Sequence, residues 1–256
     1  ATAATATPSS LCGPGSVTLA VTGGSLGSGA SWKWYSGSCG GTLVGTGATI
    51  TIPVSATTTY FVRAEGACNT TTCVSVSVTV NVQPTVSLSA SPLTVLSRPG
   101  QTTTLTAAVT PATGTTITWY RNDVVVPGAT STTLVVDIDK LGVYTVRVTT
   151  GAGCTALSNA VAITTESSNQ LFISPNPNNG AFKVRFFSNY QNYGALRHLV
   201  IFSALGQKVY DKTFPITAPY SAMDVDIRNL GKGTYFVMVT DATGEFVLAT
   251  GKVITQ

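Results

Sequence analysis

The sequence is short of charge, of histidine and of charged helix formers such as Glu and Lys. Charged residues make up 9% of it, and fourteen Lys and Arg against ten Asp and Glu leave a net charge of +4. No run of Lys or Arg concentrates that charge, so there is no electrostatic footprint for nucleic acid or for an anionic membrane. Thr, Ser or Gly interrupts every apolar run before it reaches the roughly 18 residues that a membrane-spanning helix needs. The first eight residues, Ala-Thr-Ala-Ala-Thr-Ala-Thr-Pro, lack the basic and apolar regions of a secretory signal. They read as an inter-domain linker, and the chain as the C-terminal piece of something longer.

Groups for chemistry are scarce for the same reason. The only histidine, His198, lies beside Leu199 and Val200 in an expected strand. A Ser-His-Asp group would have to use it, and a solvent-facing or capping role is expected instead. Asp137 and Asp139, and Asp224 and Asp226, are the close carboxylate pairs. Two residues apart on a strand they share a face, but a calcium site needs more oxygen ligands, so solvated carboxylates near turns are expected. No Cys-x-x-Cys pair supplies a thiolate site. With no helix expected, no Gly-rich loop opens one to hold phosphate. The expectation is no catalytic residue, no metal and no cofactor; the chain reads as a non-enzyme.

What is abundant is Thr, Ser, Gly, Val and Ala, the composition of β-branched strands joined by small-residue turns. A repeat organises the first two thirds. Trp34-Tyr35 and Trp119-Tyr120 are 85 residues apart, and Thr58-Thr59-Tyr60-Phe61-Val62-Arg63 and Gly142-Val143-Tyr144-Thr145-Val146-Arg147 are 84 apart. Within each copy apolar residues alternate with Ser or Thr: Val17, Leu19 and Val21; Tyr60, Val62 and Ala64; Val74, Val76, Val78 and Val80 in the first; Leu105, Ala107 and Val109, then Tyr144, Val146 and Val148 in the second. Strands with one buried and one wet face, about seven per copy, make an antiparallel sandwich. The Trp and Tyr positions resemble the immunoglobulin fold. Without the usual cysteine pair between sheets, the resemblance is to Ig-like domains of bacterial surface proteins.

Four of the five cysteines, Cys12, Cys39, Cys68 and Cys73, fall in the first 80 residues, which points to disulfides and an oxidising compartment. Hairpin turns alternate between the ends of a sandwich. Cys12, before the second strand, and Cys39, after the third, are therefore expected at one end, and Cys68 and Cys73, flanking a hairpin tip, at the other. The predicted pairs are Cys12–Cys39 and Cys68–Cys73, with Cys154 a small buried thiol. Trp32 and Trp34 alternate onto one strand face, where core burial is expected for both; an exposed Trp32 would instead offer a stacking surface to a sugar ring.

The alternation lapses around residues 164–170, and from Leu171 onward basic and aromatic residues become commoner, with eight of the fourteen Lys and Arg and the only His. In Ser174-Pro175-Asn176-Pro177-Asn178-Asn179-Gly180-Ala181-Phe182 two prolines fix a rigid turn, and Asn179-Gly180 supplies the positive φ of a tight hairpin. Leu205-Gly206 marks another hairpin, Leu230-x-x-Gly233-x-Tyr235 opens a strand, and a final hairpin turns at Ala242-Thr243-Gly244. These motifs resemble the type A C-terminal sorting domain of the type IX secretion system of Bacteroidetes-type bacteria. The residues that carry the likeness are Pro175, Asn176, Pro177, Gly180, Phe182, Leu205, Gly206, Leu230, Gly233, Tyr235 and Lys252, over residues 169–256.

The resemblance implies a compact sandwich carried across the outer membrane after Sec export. It further implies binding to an outer-membrane β-barrel shuttle protein, cleavage by a sortase, and attachment to lipopolysaccharide at the surface of a Gram-negative cell. A last strand from Val247 to Ile254 at a sheet edge would let a partner add a strand. The expected architecture is all-β, three consecutive β-sandwich domains: Ig-like at 1–83 and 84–166, and the sorting domain at 167–256. The expected function is targeting and anchoring with Ig-like spacers; the alternative is an adhesin whose Ig-like modules bind a glycan or surface ligand.

Overall fold

The computed structural model of the protein describes residues 1–188 and 196–256. The first repeat forms β1 (Ala3–Thr7), β2 (Ser10–Cys12), β3 (Gly15–Thr22), β4 (Ser31–Ser36), β5 (Thr42–Thr46), β6 (Thr49–Val54), β7 (Thr58–Glu65) and β8 (Val74–Asn81). They make two sheets, β1-β3-β6 and β2-β8-β7-β4-β5. The alternating apolar residues meet between them: Val17, Leu19, Trp34, Val62 and Val78 are fully buried. Burying each such aliphatic side chain contributes about 1.5–3 kcal/mol. Residues 1–8, expected as a linker, are instead largely strand. β1 pairs with β3 over five residues, and Ala4 and Ala6 pack on the core. Ala alternating with Thr is a strand pattern, but one too weakly apolar to stand out.

The second repeat supplies β9 (Thr85–Ser91), β10 (Val95–Leu96), β11 (Thr102–Thr110), β12 (Thr115–Arg121), β13 (Val124–Val125), β14 (Thr133–Asp137), a 3-10 turn at Ile138–Lys140, β15 (Gly142–Thr150), β16 (Thr155–Leu157) and β17 (Val161–Thr165). Its sheets are β14-β11-β9 and β10-β17-β15-β12-β13, with β16 beside β15. Strand for strand this is the order of the first repeat, down to a short parallel pair, β2 with β8 and β10 with β17. The two signature tryptophans are equivalent as well. Trp34 Nε1 donates to the Gly47 carbonyl at 3.0 Å and Trp119 Nε1 to the Ser131 carbonyl at 2.8 Å.

The last segment forms β18 (Phe172–Ser174), β19 (Ala181–Arg185), β20 (Leu196–Ser203), β21 (Lys208–Pro215), β22 (Met223–Asp226), β23 (Gly233–Thr240) and β24 (Val247–Thr255). A three-stranded sheet, β18-β19-β22, packs on a four-stranded one, β21-β20-β23-β24. Between them lies a core of their own, with Phe182, Val184, Leu199, Ile201, Val225, Val237 and Val253 all buried.

Two compact units divide the described chain: Ala1–Val86 with Val109–Ile117 and Arg147–Leu157, and Ser87–Ala108 with Thr118–Val146 and Ser158–Gln256. The second repeat is thus shared, its hairpin tips going with the first unit and its body with the C-terminal sandwich.

Candidate functional site

The motif segments of the C-terminal sandwich come together at one end of its four-stranded sheet, where β24 finishes. Register brings Ser203, Tyr235 and Val253 side by side across β20, β23 and β24. The turn carrying Leu205 and Gly206 therefore leaves the sheet at the same end as Gly231–Gly233 and Thr255. Ser203 N donates to the Gln207 carbonyl at 2.8 Å and Gly206, at φ +80°, closes that turn. Leu205 stands out from it, 95% exposed. Leu230 packs against the core. Tyr235 is buried, and its hydroxyl donates to the Gly231 carbonyl at 2.6 Å. Thr255 joins this loop to the last strand: its Oγ1 accepts from Gly233 N at 2.9 Å and donates to the Gly231 carbonyl at 3.2 Å.

Pro175, Asn176 and Pro177 run along the outer edge of that same strand. Asn176 Nδ2 donates to the Lys252 carbonyl, and its Oδ1 accepts from Ile254 N, both at 2.9 Å. One carboxamide so fills the positions that a neighbouring strand's backbone would fill. Asn178, absent from the motif residues read in the sequence, continues the seal with its backbone: its N donates to the Ile254 carbonyl at 3.0 Å and its carbonyl accepts from Gln256 N at 2.8 Å. Its side-chain Oδ1 also accepts from Gly180 N at 2.7 Å. Gly180 itself is at φ +94°, where a Cβ would lie 2.8 Å from Arg228 Cα. Phe182 follows into the core.

The edge expected to be open from Val247 to Ile254 is therefore closed at Lys252 and Ile254. The reason is that a side chain, invisible to a reading of backbone pattern, substitutes for a strand. Among the described residues the edge is left unoccupied over 247–251. The amide and carbonyl of a residue in an antiparallel strand point to the same side. Since Lys252 and Ile254 face away from β23, Thr250 does too, and it is exposed. Gly251, between them, lets the sheets approach closely: a Cβ there would meet Ile173 at 2.9 Å and Leu171 at 3.0 Å. Lys252 is exposed opposite Phe236, which is 48% exposed.

The remaining candidates resolve into structural roles. His198, on β20, pairs with Asp211, which also takes Lys208 Nζ at 2.7 Å. Hydrogen bonds from Lys208, first, and His198, next, hold the Asp211 carboxyl below its ordinary range. The letters Gly23-Gly24-Ser25-Leu26-Gly27 match a nucleophile elbow, but they join β3 to β4, and an elbow needs a strand followed by a helix. Asp137 and Asp139 do not share a strand face, because the strand ends at Asp137. Asp137 caps the 3-10 turn by accepting from Asp139 N at 3.0 Å, and Asp139 pairs with Arg185. Asp224 and Asp226, on β22, take Lys183 at 3.3 Å and Arg228 at 2.5 Å. Trp32 is buried beside Trp34, which removes it as a sugar-stacking surface.

The cysteine pairing differs from the expected one. Cys12 bonds to Cys154 and Cys39 to Cys73, while Cys68 is free and exposed. β2 does not sit where a simple hairpin count puts it. It runs parallel to β8, with Cys12 beside Asn81, at the point where the chain passes on to the second repeat. The tip of that repeat lies in the same compact unit, and Gln83 donates to the Thr155 carbonyl at 2.8 Å next to Cys154. Cys39 is carried by its hairpin to Arg63, whose Nη1 is 3.7 Å from its sulfur. Register places Cys73, just before Val74, alongside Arg63 on the neighbouring strand.

Fold and site together define an all-β chain of packed sheets, in which a second repeat has the strand order of the first and the C-terminal motifs gather around the last strand. Residues 1–84 match the family model of the Ig-like domain, CHU_C associated, and residues 172–256 that of the secretion system C-terminal sorting domain. Both are non-catalytic families. The chain is a secreted protein exported by the type IX secretion system and located at the cell surface. The curated proteins offer no match. Among solved structures the chain is similar to murine CEACAM1b, at 16% identity over 64% of this chain and 99% of that one, TM-score 0.38. It is also similar to the amphioxus IgVJ-C2 molecule, at 17% identity over 60% and 99%, TM-score 0.33. Scores of this size carry no further argument.

Proposed function

We propose that this chain is the non-enzymatic targeting and anchoring region of its protein: two Ig-like spacers that hold a cargo off the cell, and a sorting sandwich read by the export machinery. The observation that carries the reading is the convergence of the Pro-Asn-Pro, Leu-Gly and Leu-x-x-Gly-x-Tyr segments at the end of β24. Turn chemistry explains most of those residues one by one. It does not account for Leu205, which makes the end of the sandwich apolar where nothing in the turn needs it.

The recognition surface is this end together with the open edge over residues 247–251. An outer-membrane β-barrel shuttle docks there, partly by strand addition. A sortase then acts on the domain, and the protein is passed to lipopolysaccharide. Deletion of residues 246–256 tests the reading in cells: the truncated protein accumulates in the periplasm, and normal surface display of it would rule the proposal out. Leu205→Asp, on an exposed turn that tolerates charge, separates recognition from folding. It lowers surface display while leaving the melting temperature unchanged.

A further inference from the structure

The C-terminal sandwich is fastened to the second repeat by contacts that bypass the connecting segment. Arg185 of β19, with a side chain only 13% exposed, holds both carboxylate oxygens of Asp139 at 2.5 and 2.8 Å. The same guanidinium donates to the Tyr220 carbonyl at 2.8 Å. Tyr220 is 1% exposed. Its hydroxyl donates to the Ser97 carbonyl at 2.9 Å and to the Glu166 carbonyl at 3.3 Å. Its ring meets the edges of Phe172 and Phe187, with centroids 5.8 and 5.5 Å apart. Both partners of the clamp lie in one compact unit. The segment that covalently links them is, by contrast, on the surface: Ser167, Asn169 and Gln170 are exposed.

The Asp139 side chain is 56% exposed, so water screens the forked pair in part; its contribution is the fixed two-point geometry, anchored by a guanidinium that is itself largely covered. A buried tyrosine adds area and orientation at little conformational cost. Cutting an exposed connector removes neither. We infer that the C-terminal sandwich and the second repeat stay docked after the connector is severed, so that scission alone does not release the sandwich. Release requires a second event that parts Arg185 from Asp139. The inference concerns an interface inside this chain and does not depend on the export reading.

The test uses the full chain with residues 167–169 replaced by a site-specific protease recognition sequence. After complete cleavage at micromolar concentration the two fragments co-elute on size exclusion. Arg185→Ala weakens the nicked complex by at least about tenfold, and Tyr220→Phe weakens it less. The charge-swapped pair Asp139→Arg with Arg185→Asp restores much of the affinity, which a merely unfolded domain would not do. Separation of the nicked wild-type fragments at that concentration overturns the inference, as does a dissociation constant of the nicked Arg185→Ala complex equal to that of the wild type.

Discussion

Cys12 and Cys154 are covalently joined although 142 residues separate them in sequence. The bond ties β2 of one repeat to a hairpin tip of the next, closing a loop longer than either sandwich.

A crosslink over so long a loop restricts the unfolded chain strongly, and loss of a native disulfide costs roughly 2–4 kcal/mol. Cys154→Ser, with Cys12→Ser to avoid a stray thiol, is expected to lower unfolding stability by about that amount. Cys68→Ser, at an exposed free cysteine, is expected to change it by less than about 0.5 kcal/mol. Denaturant unfolding of the two variants checks the contrast.

Glu65 sits among Lys33, Arg63 and Tyr35, which donate to it at 2.7, 2.7 and 2.5 Å. Lys33 most, then Tyr35 and Arg63, hold its carboxyl at about 2 against an ordinary 4.5. A carboxyl depressed by folding contributes stability that is present above its unfolded value and lost as pH falls through its folded one. The wild-type unfolding midpoint is therefore expected to decline as pH drops from 4.5 towards 2. Glu65→Gln is expected to be the less stable protein at neutral pH, with the gap narrowing across that window.

Two glycines of the sorting sandwich differ in what surrounds them. Gly180 combines φ +94° with backbone of Arg228 at 2.8 Å, whereas Gly206, at φ +80°, has open space around it. Gly180→Ala is expected to cost about 3 kcal/mol from strain and overlap together. Gly206→Ala is expected to cost about 1 kcal/mol from conformation alone. Thermal or denaturant unfolding ranks them.

Much of this was legible in the sequence because the physics is local. Alternation at period two marked the faces of β3, β7 and β15, and the turn residues marked Gly180, Gly206 and Gly244, each at positive φ. What was not legible depends on partners far away in the chain. β1 hides in Ala-Thr alternation, and Cys154 finds Cys12 only because β2 runs parallel to β8. Asn176 and Asn178 act by replacing a strand with side-chain and loop backbone bonds. Asn159 works alike, its amide taking both the N and the carbonyl of Leu88 at 2.8 and 2.9 Å. The available signal for Asn178 was that the turn itself needs only Pro175, Pro177 and Gly180.

Tyr235 and Tyr144 both bond back to the carbonyl four residues earlier, Gly231 and Lys140. Tyr235→Phe keeps the packing and removes the hydroxyl. It is expected to cost about 1 kcal/mol, read from the unfolding midpoint, with surface display intact if stability remains sufficient.

The open edge of β24 can be probed at a single amide. Proline on an edge strand is tolerated where its missing N–H would face outward, and it bars an incoming strand. Thr250→Pro should give a protein that folds with its Tyr235–Gly231 hydrogen bond and core in place, measured by NMR, yet stays in the periplasm. A folded Thr250→Pro protein displayed on the cell surface at the wild-type level would contradict the account.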